Sequence, residues 1–251
     1  MALVDESSEN QVYKNLVNEQ LRTEPEEFCP FRREKQMEHL FRHLAEDFKL
    51  PRQKVLDMCG GYGRLTYFLN EFDAAHDYYC YDFSDTLIAQ ARKNFAANPN
   101  IHCEIADLYS LSPKYDKAFD ITVHYKTLYC LPYYKQAIEQ LVKVTRKKIY
   151  ITSPFYEGDF DFISRIYPDA SAGDESRYTY SNCYSIPKFV KHCMALGVRQ
   201  VKFEDMRLDF DLEPPASKDI LRTYTVQTRD QGRLEITGVL LLNWKLAVLT
   251  L

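Results

Sequence analysis

The sequence predicts a single α/β domain whose mostly parallel sheet is covered by helices on both faces. From Pro51 onward, short apolar segments alternate with amphipathic or polar ones, which is typical of successive strand–helix units. The chain has 251 residues, 45% hydrophobic and 27% charged, an ordinary balance for one globular domain with a substantial core. We therefore interpret residues 1–251 as one domain with a helical cap (1–50), a core (51–153) and a region of loop and late strands (154–251).

The cap is predicted to be helical. Residues 11–21 suit a short helix, and residues 31–48 suit a longer one because apolar side chains recur there at helical spacing. His39 and His43 lie four residues apart, a spacing that also suits metal ligation, but no acid or third ligand accompanies them. We therefore interpret both histidines as part of a solvent-exposed face and expect no metal site.

Five strands and three helices are predicted in the core. The strands are KVLDM, YYCYD, IHCEI, FDITVHY and KIYITS, at 54–58, 78–82, 101–105, 119–125 and 148–153. The helices are at 64–72, 84–97 and 133–145. The carboxyl ends of the strands then share one edge of the sheet, which is where open α/β sheets bind ligands.

The pattern changes after Ser153. Residues 154–185 are irregular, aromatic and rich in turn-forming residues, and so long a connection is typically functional. A helix is predicted over 187–196, where Gly197 suits its C-terminal cap. Four later segments read as strands: VRQVKFEDMRL, LRTYTVQ, RLEITGVLL and NWKLAVLTL.

Composition argues against several classes of protein. There are 32 Lys and Arg against 36 Asp and Glu, a net charge of −4, whereas nucleic-acid-binding surfaces normally carry a basic excess. No apolar run approaches the roughly 20 residues of a membrane-spanning helix, and the first ten residues do not resemble a signal peptide. The seven cysteines contain no C-x-x-C pair and read as reduced thiols. We expect a cytoplasmic protein that does not bind nucleic acid or membrane.

A glycine-rich turn, VLDMCGGYGR at residues 55–64, holds three of the eight glycines. Glycine is needed where the backbone takes a positive φ or approaches another group closely. The turn joins the first strand to a helix, and such a turn directs backbone N–H groups and a helix N-terminus at a bound ligand. The alternative is a tight turn packed for its own sake.

Three acids follow three successive strands. Asp57 ends the first strand, Asp82 ends the second and Asp107 follows the third. Asp82 lies 19 residues after Gly63, where a carboxylate can bind both hydroxyls of a ribose. Asp82 and Asp107 could instead cap a helix and a turn. Together the acids predict a nucleotide-like cofactor, although the third glycine of a G-x-G-x-x-G dinucleotide turn is missing after Gly61.

The segment DMCGGYG, with Asp82 and Asp107, resembles the first motif and acidic positions of class I S-adenosylmethionine-dependent methyltransferases over residues 55–153. Cys59 stands in place of the first glycine of that motif. The resemblance implies a Rossmann-like sheet of seven mostly parallel strands with helices on both faces. It also implies that KFEDMRL and NWKLAVLTL form a late antiparallel pair, so LRTYTVQ and RLEITGVLL would be an added hairpin.

The resemblance further implies S-adenosylmethionine as cofactor. Its methionine end would lie at Asp57 and the turn from Gly61 to Gly63, its ribose at Asp82, and its adenine at Asp107 with Leu108. The other residues expected to contact it are Cys59, Phe83 and His124. A similar but looser likeness of the C-terminal segment, to enzymes of surface-sugar and small-metabolite pathways, implies a sugar or phosphorylated metabolite as acceptor.

The chemistry expected is transfer of the cofactor's methyl group to an oxygen or nitrogen of a small molecule. A sulfonium is strongly electrophilic, so the protein mainly places the acceptor in line and excludes water. An acceptor hydroxyl also needs a base, for which His124 with Tyr125 is the candidate, unless His124 is structural. A non-catalytic S-adenosylmethionine-binding protein and an NAD-dependent oxidoreductase are the rival interpretations.

Acceptor contacts are assigned to cationic and aromatic residues near the cleft. Arg32, Arg33 and Lys126 suit a phosphate or carboxylate, and Tyr156 suits the pocket wall. The N-terminal helices and the loop at 154–185 are expected to close over the cofactor as a lid. The oligomeric state is not predicted.

Overall fold

The computed structural model describes residues 33–167, 178–216, 222–230 and 232–251. Its first element is α1 (Met37–Asp47), which confirms the longer cap helix with a later start. The predicted helix at 11–21 lies outside the described residues.

The core consists of successive strand–helix units. They are β1 (Lys54–Met58), α2 (Arg64–Phe72), β2 (Asp77–Asp82), α3 (Asp85–Asn94), β3 (Ile101–Ile105), β4 (Phe119–His124), α4 (Tyr134–Val144) and β5 (Thr145–Tyr156). Short 3-10 turns at Leu108–Ser110 and Leu128–Cys130 follow β3 and β4. The five predicted strands and three predicted helices of this region are confirmed, with ends shifted by up to three residues.

The C-terminal part holds one helix and eight strands within the described residues. They are β6 (Arg165–Ile166), β7 (Thr179–Tyr180), β8 (Tyr184–Ser185), α5 (Ile186–Ala195), β9 (Gln200–Asp205), β10 (Thr223–Thr228), β11 (Gly232–Thr237), β12 (Leu240–Leu242) and β13 (Trp244–Thr250). The loop predicted to be irregular thus contains short strands: β6 pairs with β7, and β8 pairs in parallel with the end of β5.

The main sheet has the strand order β3-β2-β1-β4-β5-β13-β9. Strands β1 to β5 run parallel, whereas β13 runs antiparallel between β5 and β9. The seven predicted strands and their late antiparallel pair are therefore confirmed, and β8 adds an eighth strand beside β5. The added hairpin, β10 with β11, gains a third strand because the chain turns again at Gly238, whose φ is +60°, and enters β12.

Two hydrophobic clusters lie on opposite faces of this sheet. Side chains alternate across a strand, so Val55 packs against α1, α2 and α3 while Leu56 packs against α4 and α5. A sheet covered on both faces needs nearly continuous apolar strands, as this sequence has.

Strand order reverses at β1, because β2 and β3 lie on one side of it and β4 and β5 on the other. Such a switch point leaves a crevice beyond the carboxyl ends of the central strands. Asp57, Asp82 and His124 all lie at those ends.

Candidate active site

The glycine turn after β1 is held in a left-handed backbone conformation. Gly61 has a φ of +58° and Gly63 a φ of +93°, and a Cβ on Gly63 would lie 2.2 Å from the ring of Phe95. Cys59 also has a positive φ, +64°, which is uncommon for a residue other than glycine and costs on the order of 1–3 kcal/mol. The position where the motif would have glycine therefore carries backbone strain.

The amides of this turn are used within the protein. Gly60 N donates to the carbonyl of Tyr81 (3.0 Å), Gly61 N donates to Asp82 Oδ2 (3.1 Å), and Gly63 N donates to the carbonyl of Gly60 (2.9 Å). The expectation that these N–H groups point at a ligand is wrong for these three. The space beside Gly61 is open, because a Cβ placed there would have Leu87, at 3.7 Å, as its nearest neighbour. A ligand can therefore approach the backbone closely at this glycine.

Asp57 connects β1 to the start of α2. Gly63 is the N-cap residue of α2 and has no side chain with which to cap it. Asp57 Oδ2 takes that role by accepting hydrogen bonds from Thr66 N (3.1 Å) and Thr66 Oγ1 (2.7 Å). Asp57 is 2% exposed, and burial raises the pKa of its carboxyl to about 7 in spite of the bonds from Thr66.

Asp82 ties the end of β2 to the turn. Its two carboxylate oxygens accept hydrogen bonds from Gly61 N and from Ser84 N (3.0 Å), and burial raises its pKa. The helix cap of α3 is Ser84, whose Oγ accepts from Leu87 N (3.4 Å). The alternative in which Asp82 caps this helix is therefore not what the structure shows.

The turn after β3 combines a cap and a core residue. Asp107 Oδ1 accepts a hydrogen bond from Tyr109 N (3.0 Å), so the capping alternative holds here. Leu108 is 3% exposed and packs in the cluster with α4 and α5, so its side chain faces the core.

A cavity of about 300 Å³ opens above the glycine turn, at the lower end of the size range of small-molecule sites. Four of the predicted site residues, Asp57, Cys59, Gly61 and Tyr125, contribute to its wall. The complete lining is Met37, Asp57, Cys59, Gly60, Gly61, Tyr62, Arg64, Leu65, Leu87 and Tyr125. Gly63, Asp82, Phe83, Asp107, Leu108 and His124 are not among the lining residues.

His124 is fully buried, with its Nδ1 3.0 Å from the carbonyl oxygen of Met58. A carbonyl only accepts, so Nδ1 carries the proton and Nε2 is the bare nitrogen, without a hydrogen-bond partner in the described part of the chain. Burial lowers the pKa of the imidazole to about 4. A base with this pKa has little driving force for proton uptake near neutral pH, which favours the structural role over the base.

Tyr125 and Lys126 lie together at the end of β4, beside the cavity. Tyr125 is 9% exposed, and burial raises the pKa of its hydroxyl well above the ordinary value, so it remains a phenol. The Nζ of Lys126 is 5.2 Å from the ring centroid of Trp244 on β13. Both polar ends contact Glu34, a residue that the sequence analysis did not single out.

The other predicted acceptor residues are not brought to this cavity. Arg33 lies over the ring of Phe41, 4.9 Å from its centroid, in a second cavity of about 540 Å³ on the outer side of α1. Tyr156 packs against Phe162, with ring centroids 5.4 Å apart, where β5 ends. Arg32 lies outside the described residues.

His39 and His43 were predicted to belong to a solvent-exposed face. In the structure both contact Glu204 on β9. His39 Nδ1 lies 3.0 Å from Glu204 Oε1, and His43 Nε2 lies 2.5 Å from Glu204 Oε2. Within the described ranges, no cluster of three or more His, Cys, Asp or Glu side chains could hold a metal ion. In the same ranges no helix is both long and apolar enough to cross a membrane.

Sequence reasoning missed the ionic cluster beside the cavity. Glu34 accepts hydrogen bonds from Arg64 Nη2, Tyr125 Oη (3.0 Å) and Lys126 Nζ (2.8 Å). Burial alone would raise the pKa of Glu34, but Lys126, Arg64 and Tyr125 hold it below the ordinary value. One signal was available: Arg64 is the first residue of α2, where the helix dipole disfavours a cation.

The strand–helix units that form the cavity also resemble a known protein family. Residues 55–148 match a family model described as a methyltransferase domain. No curated protein sequence matches the chain with significance.

Solved structures of similar fold cover most of the chain. The magnesium protoporphyrin IX methyltransferase of Synechocystis PCC 6803 with bound SAH is 14% identical, with a TM-score of 0.54, over 98% of this chain and 99% of that one. A SAM-dependent methyltransferase of Methanosarcina mazei is 11% identical, with a TM-score of 0.53, over 82% of this chain and 96% of that one. At these identities the likeness concerns the fold.

Proposed function

Because this chain is a class I S-adenosylmethionine-dependent methyltransferase, we propose that it methylates an oxygen or nitrogen of a small-molecule acceptor. The observation that carries the proposal is the cavity at the switch point of the sheet, walled by Asp57, the glycine turn and Tyr125. Open α/β sheets bind their ligands in this crevice.

The residues around the cavity fit the cofactor. The open space above Gly61 admits close approach of a ligand to the backbone, and Asp57 supplies a carboxyl group that can accept a hydrogen bond from the amino group of a methionine. Backbone hydrogen bonds from Gly61, Phe83 and Ser84 fix the Asp82 carboxylate beside the turn, where it is assigned to the ribose hydroxyls. Asp107 and the backbone of Leu108 are assigned to the adenine.

When bound, S-adenosylmethionine supplies a methyl group on a sulfonium, which is already electrophilic. The chain's own residues orient the acceptor and shield the reacting groups from water. Tyr125, as a neutral phenol in the cavity wall, can donate to or accept from an acceptor group. His124 is assigned a positioning role, because its bond to Met58 joins the ends of β4 and β1.

Charge supports a small acidic or polar acceptor. The chain has a net charge of −4, which disfavours a polyanionic nucleic acid. The Lys126 ammonium beside the cavity suits a carboxylate or phosphate on a small molecule such as a sugar or phosphorylated metabolite.

Cofactor binding is tested by calorimetry with S-adenosylhomocysteine (SAH), the demethylated product. Asp82→Asn is expected to weaken SAH about 10-fold to 100-fold, because a charge-assisted contact to the ribose is lost. The matched control is Asp77→Asn, at the opposite end of the same strand, where the carboxylate pairs with Arg52. No binding of SAH to the unaltered protein would refute the cofactor assignment, and binding of NAD alone would favour an oxidoreductase.

The acceptor class is tested by transfer of a radiolabelled methyl group in a cell extract. Label in the small-molecule fraction is the expected result. Label confined to the protein or RNA fraction would contradict the small-molecule acceptor. SAH binding without transfer to any fraction would favour the non-catalytic alternative.

A further inference from the structure

The Glu34 carboxylate lies at a point where two parts of the chain supply three donors. Arg64 comes from the start of α2, while Tyr125 and Lys126 follow β4. Glu34 itself precedes α1, and its side chain is 27% exposed. The donor set of guanidinium, phenol and ammonium is the kind that binds a carboxylate.

Two of these three donors lie at the wall of the cavity. Arg64 and Tyr125 are both lining residues, together with Asp57 and Gly61. Among the described lining residues, Arg64 is the one with a cationic side chain. A ligand in the cavity that carries a carboxylate at its methionine end therefore has Arg64 as its natural counter-ion, and Glu34 already engages that guanidinium.

We infer that Glu34 and the carboxylate of the cofactor compete for Arg64. The inference rests on the proposed function, because it needs the aminocarboxylate of S-adenosylmethionine or SAH in this cavity. A second carboxylate beside Glu34 is repelled by it, so the ligand's carboxylate gains full access to Arg64 only when Glu34 turns aside. Glu34 can do so because its side chain is partly exposed to solvent.

The exchange replaces one anion by another. Arg64 remains neutralised, and the Lys126 ammonium that Glu34 leaves is 25% exposed and can be solvated. Glu34 thus lowers the affinity for ligands that have an aminocarboxylate and leaves the affinity for the adenosine part unaffected. The segment before α1 is in this way coupled to recognition of the cofactor.

Calorimetry with two probes tests the inference: SAH, and 5′-methylthioadenosine, which lacks the aminocarboxylate. Glu34→Gln is expected to tighten SAH about tenfold, because Arg64 is freed from a competing charge, and to change the 5′-methylthioadenosine affinity less than twofold. Arg64→Gln is expected to weaken SAH about tenfold, again with little effect on 5′-methylthioadenosine. In the double variant, the tighter SAH binding produced by Glu34→Gln should be lost.

The matched control is Glu38→Gln, in the first turn of α1, whose carboxylate pairs with Lys35 on the surface; both affinities should stay unchanged. Weaker or unchanged SAH binding in Glu34→Gln would overturn the inference, as would equal changes for both probes. Should Glu34→Gln not fold, equal effects of Arg64→Gln on both probes would overturn it as well. Failure of SAH to bind the unaltered protein refutes the proposed function instead.

Discussion

At the scale of single residues, Asp57 joins two tasks that pull its charge in opposite directions. As the cap of α2 it accepts two hydrogen bonds from Thr66, which favour the carboxylate. Because Asp57 is only 2% exposed, burial destabilises its charged form. The pKa of about 7 shows that this effect outweighs the hydrogen bonds from Thr66. Folding therefore holds a proton on Asp57 over a pH range in which the unfolded chain has released it.

Asp57→Asn is predicted to change how stability depends on pH. Between the ordinary pKa of 3.8 and the folded pKa of about 7, the folded state binds more protons, so the free energy of unfolding falls as the pH rises. An amide does not titrate, so the stability of the variant relative to the unaltered protein should rise by on the order of 3 kcal/mol from pH 5 to pH 8. Urea unfolding of both proteins at the two pH values measures this, and a pH-independent difference would rule out titration of Asp57.

Sequence pattern located the site residues that follow a strand and missed those that meet across the fold. Asp57 and Gly61 belong to one short segment whose spacing signals a strand–turn–helix unit. The ionic contact of Glu34 with Arg64 joins residues 30 positions apart, and the periodicity of α1 and α2 does not determine which side chains meet between them. Arg33, next to Glu34, lies in a different cavity, so adjacency in sequence was a poor guide to the acceptor site.

At the scale of elements, the loop at 154–185 is anchored at its C-terminal end, residues 182–185. Asn182 is 1% exposed, and its side-chain amide donates to the carbonyl of Leu131 (2.8 Å) and to Tyr184 Oη (3.0 Å). Tyr184 Oη in turn lies 3.1 Å from the carbonyl of Leu128. These bonds fix residues 182–185 against the turn that follows β4, so closure of the loop would have to occur before Asn182.

The lid stays a prediction, and amide exchange with and without SAH tests it. Protection should rise in residues 11–33 and 154–185, with the smallest gain at 182–185, which are already bonded to the core. Asn182→Ala serves as a companion variant: exchange at 178–185 should increase in the absence of SAH, because buried hydrogen bonds are lost. Changes confined to Gly61 and Asp82 would exclude a lid.

The elements that could be predicted are those with a clear period. Strands β1 to β5 and their helices follow from apolar runs and helical spacing that extend over at least five residues. Strands β6, β7 and β8 contain two residues each, too few to display alternation. The third added strand was missed because RLEITGVLL reads as one continuous run, although Gly238 breaks it.

At the scale of the whole molecule, the three-stranded sheet β10–β11–β12 is an insertion between two paired strands. The ladder of β9 and β13 continues to Met206 N, which donates to the carbonyl of Trp244 (2.9 Å). The chain thus leaves and re-enters the main sheet at neighbouring points. The insertion contacts the rest of the protein at several points. The Glu235 carboxylate accepts a hydrogen bond from Gln36 before α1, Asn243 exchanges backbone and side-chain hydrogen bonds with Phe155 of β5, and Leu242 packs in the core.

Replacing residues 207–243 by a four-residue turn is predicted to preserve the main sheet and cofactor binding. Met206 and Trp244 are already hydrogen-bonded neighbours, so a tight turn can join them. The cavity lining contains no residue of the insertion, so SAH affinity should stay within about threefold in calorimetry, a difference below 1 kcal/mol. A loss of SAH binding would instead place the insertion in the cofactor site.

The internal hydrogen bonds of the glycine turn have a consequence for the kinetics of recognition. Because Gly60, Gly61 and Gly63 already satisfy their amides through β2 and the turn itself, the turn reaches its final shape during folding. The conformational entropy of ordering it is therefore lost before any ligand arrives, and association does not have to supply it. Ligand entry is then governed by access to the crevice and not by rearrangement of its floor, as in a preorganised site.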